Sequence, residues 1–94
     1  MSLYTIIQSS KSLPIDTQMD LIYDHVDLLI QTGDWTILNR ELDALIININ
    51  DINLDCLVGV ACATLPGEFE LSSRAEFMAK CKELYPEEYL WHGL

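Results

Sequence analysis

The sequence predicts an all-α protein, a small four-helix bundle built from two antiparallel helical hairpins. Apolar residues recur at three- and four-residue steps over four segments, which is the spacing of amphipathic helices. Turn-forming residues separate these segments. Half of the 94 residues are hydrophobic and the length suits one compact unit, so residues 1–94 are interpreted as a single acidic helical domain.

The first predicted helix runs from Asp16 to Thr32. Asp16 is a suitable N-cap residue, and Gly33 stands where a glycine commonly terminates a helix. The apolar stripe of this helix consists of Ile15, Met19, Ile22, Val26, Leu29 and Ile30. Residues 1–13 precede it and fit either a short strand or a helical turn, which Pro14 ends.

The second predicted helix runs from Trp35 to Ile47 or Asn48, with Asp34 as its N-cap. Its apolar stripe consists of Trp35, Leu38, Leu42, Leu45, Ile46 and Ile49. Because only a short joint separates it from the first helix, the two are expected to form an antiparallel hairpin with Trp35 in its core. Asparagine and aspartate break the stretch 48–53, although the alternation of its isoleucines also fits a strand.

The third predicted helix runs from Leu54 to Thr64. It is apolar on most faces, which predicts that it is the most buried element of the bundle. A Pro-Gly pair at 66–67 ends it. In the loop that follows, Phe69 and Leu71 are expected to fold back onto the core.

The fourth predicted helix runs from Arg74 to Leu84. Ser73 and Glu76 have the spacing of a capping box, in which each side chain accepts a hydrogen bond from the other residue's backbone N–H. The residues expected to face inward are Phe77, Met78, Cys81 and Leu84. Pro86 then begins a last short turn.

The chain is strongly acidic, with 15 Asp and Glu against 5 Lys and Arg and a formal net charge of −10. Such a surface repels phosphates and anionic lipids, so direct binding of nucleic acid or of a membrane is not expected. The N-terminus lacks the pattern of a signal peptide, and no apolar run approaches the roughly 20 residues that span a bilayer. Three cysteines without a CxxC pair fit a reducing compartment, and the predicted location is cytoplasmic.

Residues with catalytic or metal-binding chemistry are few and scattered. His25 lies among aspartates but has no second ligand at helical spacing, so it is interpreted as a surface histidine, and His92 is not expected to be catalytic. The cysteines, Cys56, Cys62 and Cys81, lie in apolar surroundings and are interpreted as packing residues. No catalytic residue, cofactor or metal site is therefore predicted. An enzyme or metalloprotein built on the cysteines and histidines is a minor alternative.

Two sets of residues are candidates for binding a partner protein. The first is an acidic stripe on the first helix: Asp16, Asp20, Asp24 and Asp27. An ordinary solvated face would show the same pattern. The second is an aromatic group near the C-terminus: Tyr85, Tyr89 and Trp91. Tyrosine and tryptophan are common at binding hot spots, although a hydrophobic tail that packs back onto the bundle would have the same composition.

The predicted function is protein–protein interaction, as an adaptor, a regulator or an inhibitor without catalytic activity. The acidic surface, which suits a partner with a basic surface, the scarcity of catalytic groups and the aromatic group favour it. The alternative is an acidic decoy that blocks a basic nucleic-acid-binding partner, as some phage-encoded inhibitors and bacterial immunity proteins do. This analogy rests on size and charge alone. The apolar third helix is also compatible with a homo-oligomer.

Overall fold

The computed structural model describes residues 1–67 and 70–94, and all regular structure within these ranges is helical. The α-helices are α1 (Leu3–Ser9), α2 (Ile15–Thr32), α3 (Trp35–Ile47), α4 (Leu54–Ala63) and α5 (Arg74–Leu84). Short 3₁₀ segments occur at Ile49–Asp51 and Tyr89–Gly93. The all-α prediction is confirmed. The described ranges hold five α-helices rather than four, so the predicted bundle of two hairpins omits one helix.

The additional helix is α1, in the stretch that fitted either a strand or a helical turn. Ser2 caps it, because its hydroxyl accepts a hydrogen bond from the Thr5 backbone N–H at 3.2 Å. Leu3, Ile6 and Ile7 are buried. Ile6 and Ile7 follow Leu3 by three and four residues, so the three side chains lie on one face of α1. The helix packs against both α2 and α3.

A buried amide connects the end of α1 to α2 and α4. Gln18 is only 3% exposed, and its Nε2 donates to the Ser10 carbonyl at 2.6 Å. Its Oε1 lies 3.9 Å from the Cys56 thiol, which donates to it. Because a buried amide without partners would be costly, these bonds fix how the three helices meet.

A left-handed glycine links α2 to α3. Gly33 has φ +71°, a conformation that side chains disfavour, and its N–H donates to the Ile30 carbonyl at 3.0 Å. The predicted bounds of α3 are confirmed, but the prediction that Trp35 lies in the core is wrong, since Trp35 is 39% exposed. It is the first residue of α3, directly after the turn at residues 33–34. Leu38 and Leu42, further along α3, are fully buried.

Asp34 and Ser73 occupy the predicted N-cap positions of α3 and α5 without a side-chain cap bond, and Asp16 is not the N-cap of α2. α2 begins at Ile15 after Pro14, whose fixed φ and missing N–H suit the residue ahead of a helix. Asp16 therefore lies inside the first turn, near the positive end of the helix dipole. Ser73 makes no side-chain cap bond to α5. Its backbone N–H donates instead to Asn39 Oδ1 at 3.0 Å, so a side chain of α3 holds the start of α5.

The centre of the core is supplied by α4. Its fully buried residues are Cys56, Leu57, Val60 and Ala61. The helix is capped by Asn53, whose Oδ1 accepts from the Cys56 N–H at 2.9 Å. Gly59 faces α2, where an added Cβ would meet the sulfur and terminal methyl of Met19. The missing side chain lets α2 approach closely, and α2 against α4 is the most extensive helix contact.

Two residues of the loop between α4 and α5 were predicted to fold back onto the core, and one of these predictions is confirmed. Leu71 is buried, as predicted, whereas Phe69 lies outside the described residues. The Arg74 guanidinium, at the start of α5, donates from Nη2 to the Ala61 carbonyl at 3.1 Å and so joins α5 to α4.

None of the helices in the described ranges combines the length and the apolar character that crossing a bilayer requires.

Candidate protein-binding groove

A groove runs between α2 and α4, and residues of the C-terminal segment, residues 85–94, form a further wall. It encloses a hollow of about 300 Å³. Its lining consists of Ile15, Met19 and Tyr23 of α2, Asp55, Val58, Gly59 and Cys62 of α4, and Glu88 and Leu90 of the C-terminal segment. Steps of three and four residues place the members from each helix on one face. We call this feature the α2–α4 groove.

The walls of the α2–α4 groove expose apolar side chains. Ile15 is 41% exposed, Tyr23 36% and Leu90 40%. A single exposed apolar residue is ordinary on a protein surface, but a set of them around one concave site is typical of an interaction surface. Ile15 belongs to the predicted core stripe, yet it stays on the rim because it is the first residue of α2.

A second hollow of about 340 Å³ continues the groove toward the end of α5. It is lined by Leu54, Leu84, Tyr85, Pro86, Glu87 and Glu88. The two hollows share Glu88, and Leu54 is next to Asp55 in α4, so they adjoin. Leu84 was expected to face inward but is 41% exposed, because it is the last residue of α5.

The C-terminal aromatic residues divide between the core and the surface. Trp91 is 3% exposed, and its indole Nε1 donates to the Tyr85 carbonyl at 2.9 Å. Tyr85 is half-buried in the wall of the second hollow, and Tyr89 is 74% exposed. The packed-back tail is therefore the correct description for Trp91, which belongs to the core cluster, and Tyr89 is the exposed member of the three.

Acidic side chains border the α2–α4 groove. All four aspartates of the predicted stripe are exposed: Asp16, Asp20, Asp24 and Asp27. The stripe adjoins the groove at Tyr23. Burial is the largest cause that raises the pKa of the Tyr23 phenol, followed by the neighbouring Cys62 thiol and then by the negative charge of Asp27, a member of the stripe. Asp55 and Glu88 lie in the lining itself. Neither hollow is lined by a lysine or an arginine among the residues that the structure describes.

The main polar contact that sequence reasoning misses lies outside the groove. His25 Nε2 is 3.0 and 2.9 Å from the two carboxylate oxygens of Glu41, and the side chains are 17% and 8% exposed. The interpretation of His25 as a surface histidine among aspartates is therefore wrong, because it faces α3. Both residues stand eight positions from Gly33, and this symmetry about the turn was the available signal.

The cysteines differ in their surroundings. Cys56 and Cys81 are buried, as predicted, and burial raises the pKa of both thiols. Cys62 is half-buried and lines the α2–α4 groove. Within residues 1–67 and 70–94, no group of His, Cys, Asp and Glu side chains is arranged to hold a metal ion.

Comparisons with protein-family models, with curated proteins and with solved structures find no match to this chain. The indications of its function therefore come from the molecule's own features. The most informative of these are the exposed apolar rim of the α2–α4 groove and the carboxylates beside it.

Proposed function

We propose that the protein binds another protein through the α2–α4 groove, as a non-catalytic adaptor, regulator or inhibitor acting in the cytoplasm. The observation that carries this proposal is the apolar rim of Ile15, Tyr23 and Leu90, each more than a third exposed. Covering this rim removes apolar surface from water, which favours association by about 25 cal/mol per Å² before the costs of ordering. A non-catalytic role is supported by His25, which is bound to Glu41 and does not line the groove.

Comparative capture from a lysate of the native host tests the proposal. The baits are the tagged wild type and two groove variants, Ile15→Glu and Leu90→Glu. The control is Ile47→Glu, which makes the same change at a residue of α3 that is 82% exposed and lines neither hollow. Circular dichroism first establishes that all four proteins are folded.

At least one host protein should be retained by the wild type and the control and lost by both groove variants. A glutamate at the rim replaces apolar contact area with a charged group that faces the apolar side of the partner, which is strongly unfavourable. Retention of the same proteins by all four baits would contradict the proposal.

A second candidate function is an acidic decoy for a basic nucleic-acid-binding protein. The exposure of all four stripe aspartates on one face of α2 favours it. Replacing the four with asparagine should then abolish capture, and raising salt from about 50 to about 300 mM should weaken it steeply. Capture that survives the four asparagine substitutions but is lost in Leu90→Glu excludes the decoy and supports the groove.

A further inference from the structure

We infer that the partner segment held by the α2–α4 groove is a basic amphipathic α-helix. This inference rests on the proposed function and specifies the chemistry of the partner that the same site accepts. Three properties of the groove support it: an apolar floor between two helices, carboxylates without a lysine or arginine in the described lining, and walls that offer no sheet edge.

The floor of the groove fits the ridge of a helix. Met19 and Val58 are half-buried on opposite walls, and the thioether of Met19 lies against Gly59 between them. Helices pack by placing a ridge of side chains into the groove of a neighbour. The α4 wall from Leu54 to Cys62 is about 12 Å long at about 1.5 Å per residue, which matches about two turns of a bound helix.

The charges beside the floor select a basic partner. Asp55 and Glu88 lie in the lining, and Asp27 acts on Tyr23 at the edge. The net charge of −10 adds attraction for a cationic segment and repulsion of an acidic one. Lysine and arginine on the flanks of a helix lay their methylene stems on apolar surface while their charges reach outward. Such a helix contacts the floor and the carboxylates at the same time.

The backbone of the groove favours a helix over an extended segment. The long walls are α2 and α4, in which backbone groups bond to one another except at the helix ends. An extended segment gains affinity from hydrogen bonds to a sheet edge, and the described ranges contain no strand. A helix satisfies its own backbone and needs only side-chain contacts.

Fluorescence anisotropy with designed peptides tests this inference. The probe is a labelled peptide of about 18 leucines and lysines, with the leucines at helical three- and four-residue spacing. One comparison peptide has the same composition with strictly alternating leucine and lysine, and the other has glutamate in place of lysine. Only the helical lysine peptide is expected to bind tightly. Its affinity should fall at least about tenfold between about 50 and about 300 mM salt.

Charge-matched variants locate the binding. Asp55→Asn/Glu88→Gln removes two carboxylates from the groove, and glutamine at 88 keeps an oxygen that can accept from the Leu90 N–H as Glu88 does. The control, Asp43→Asn/Glu83→Gln, removes the same charge at exposed positions that line neither hollow. The groove variant should lose affinity at least about fivefold and the control less than about twofold.

Protection of a thiol gives a second readout. Because Cys62 lines the groove, saturating peptide is expected to slow its alkylation several-fold in the wild type. Equal affinity for the alternating peptide, equal losses in the two double variants, or an unprotected Cys62 would overturn the inference, since net charge alone would then explain the binding.

Failure of every peptide would also overturn it, and the capture experiment then separates the two proposals. If Ile15→Glu and Leu90→Glu still lose a host protein that the control retains, the groove binds a partner of different chemistry and the proposed function stands. If all baits retain the same proteins, both proposals fail.

Discussion

His25 and Glu41 bind each other across the seam between α2 and α3, with the imidazole Nε2 3.0 and 2.9 Å from the two carboxylate oxygens. Both side chains are largely buried, so little water is available to replace either partner. Lys80 and Glu83 form a contrasting pair on α5, 3.9 Å apart, with side chains 48% and 73% exposed. The two pairs allow a matched test of how burial changes the strength of a polar contact.

Removing one member of the buried pair is expected to destabilise the fold. Glu41→Ala leaves the imidazole without its partner, which should lower the free energy of unfolding by about 1–3 kcal/mol. Glu83→Ala, the exposed control, should lower it by less than about 1 kcal/mol. Urea unfolding at neutral pH, followed by circular dichroism, measures both. Equal effects would show that the α2–α3 seam is solvated.

Alanine at position 59 is expected to gain little stability as long as Met19 is present. Alanine is normally better than glycine inside a helix by up to about 1 kcal/mol. At this position its Cβ would overlap the Met19 sulfur, so the flexible end of Met19 must shift. This shift should cancel most of the helical gain, and Gly59→Ala should change the free energy of unfolding by less than about 1 kcal/mol. In a Met19→Ala background the same change should be stabilising. A double-mutant cycle measures this coupling, and additive effects would contradict the close approach of α2 to α4.

Trp91 is expected to hold the groove wall in place. Trp91→Ala removes a buried indole and should lower the free energy of unfolding by about 3 kcal/mol. Trp91→Phe retains most of the apolar contact and loses the bond to the Tyr85 carbonyl, at a cost of about 1 kcal/mol. Tyr89→Ala is the control, since that side chain is 74% exposed, and should have an effect within about 0.5 kcal/mol. Thermal denaturation ranks the three, and an equal loss for Tyr89→Ala would contradict the assignment.

Alkaline pH is expected to destabilise the protein through Cys81. Burial raises the pKa of this thiol from 9.0 to about 12. The folded state therefore holds the proton more tightly than the unfolded chain does, so stability is fully present below about pH 9 and falls as the pH rises toward about 12. The slope from one such group is up to about 1.4 kcal/mol per pH unit. Urea unfolding between these pH values should show a shallower decline for Cys81→Ala than for the wild type, and parallel declines would refute the prediction.

The helix bounds that local signals determine could be predicted from the sequence. Gly33 ends α2 because the turn needs a left-handed residue. Asp34 and Ser73, which are residue types common at helix starts, mark the beginnings of α3 and α5. Trp35 shows where this reasoning stops. A stripe gives the face on which a residue lies, but not how far the neighbouring helices extend along that face. The predicted capping box of α5 is wrong for a related reason. The Ser73 backbone N–H donates to Asn39, which lies 34 positions earlier in the chain and which no local pattern indicates.

The candidate site was only partly accessible from sequence. The exposure of the aspartate stripe follows from the angle between Asp20 and the core residues of α2, and the structure agrees. The α2–α4 groove combines three separate segments, and no local pattern indicates that Glu88 and Leu90 lie beside α4. Tyr89 and Trp91 are two positions apart, and only tertiary packing determines that one is exposed and the other buried.

The two tryptophans provide an optical reporter that needs no label. Trp35 is 39% exposed, whereas Trp91 is buried in the core and is the next residue after Leu90 of the groove wall. In a Trp35→Phe protein the remaining indole would emit at wavelengths that depend on the hydration of the C-terminal segment. A red shift of that emission at denaturant concentrations where the helices are still intact would then reveal opening of the wall as an event separate from unfolding.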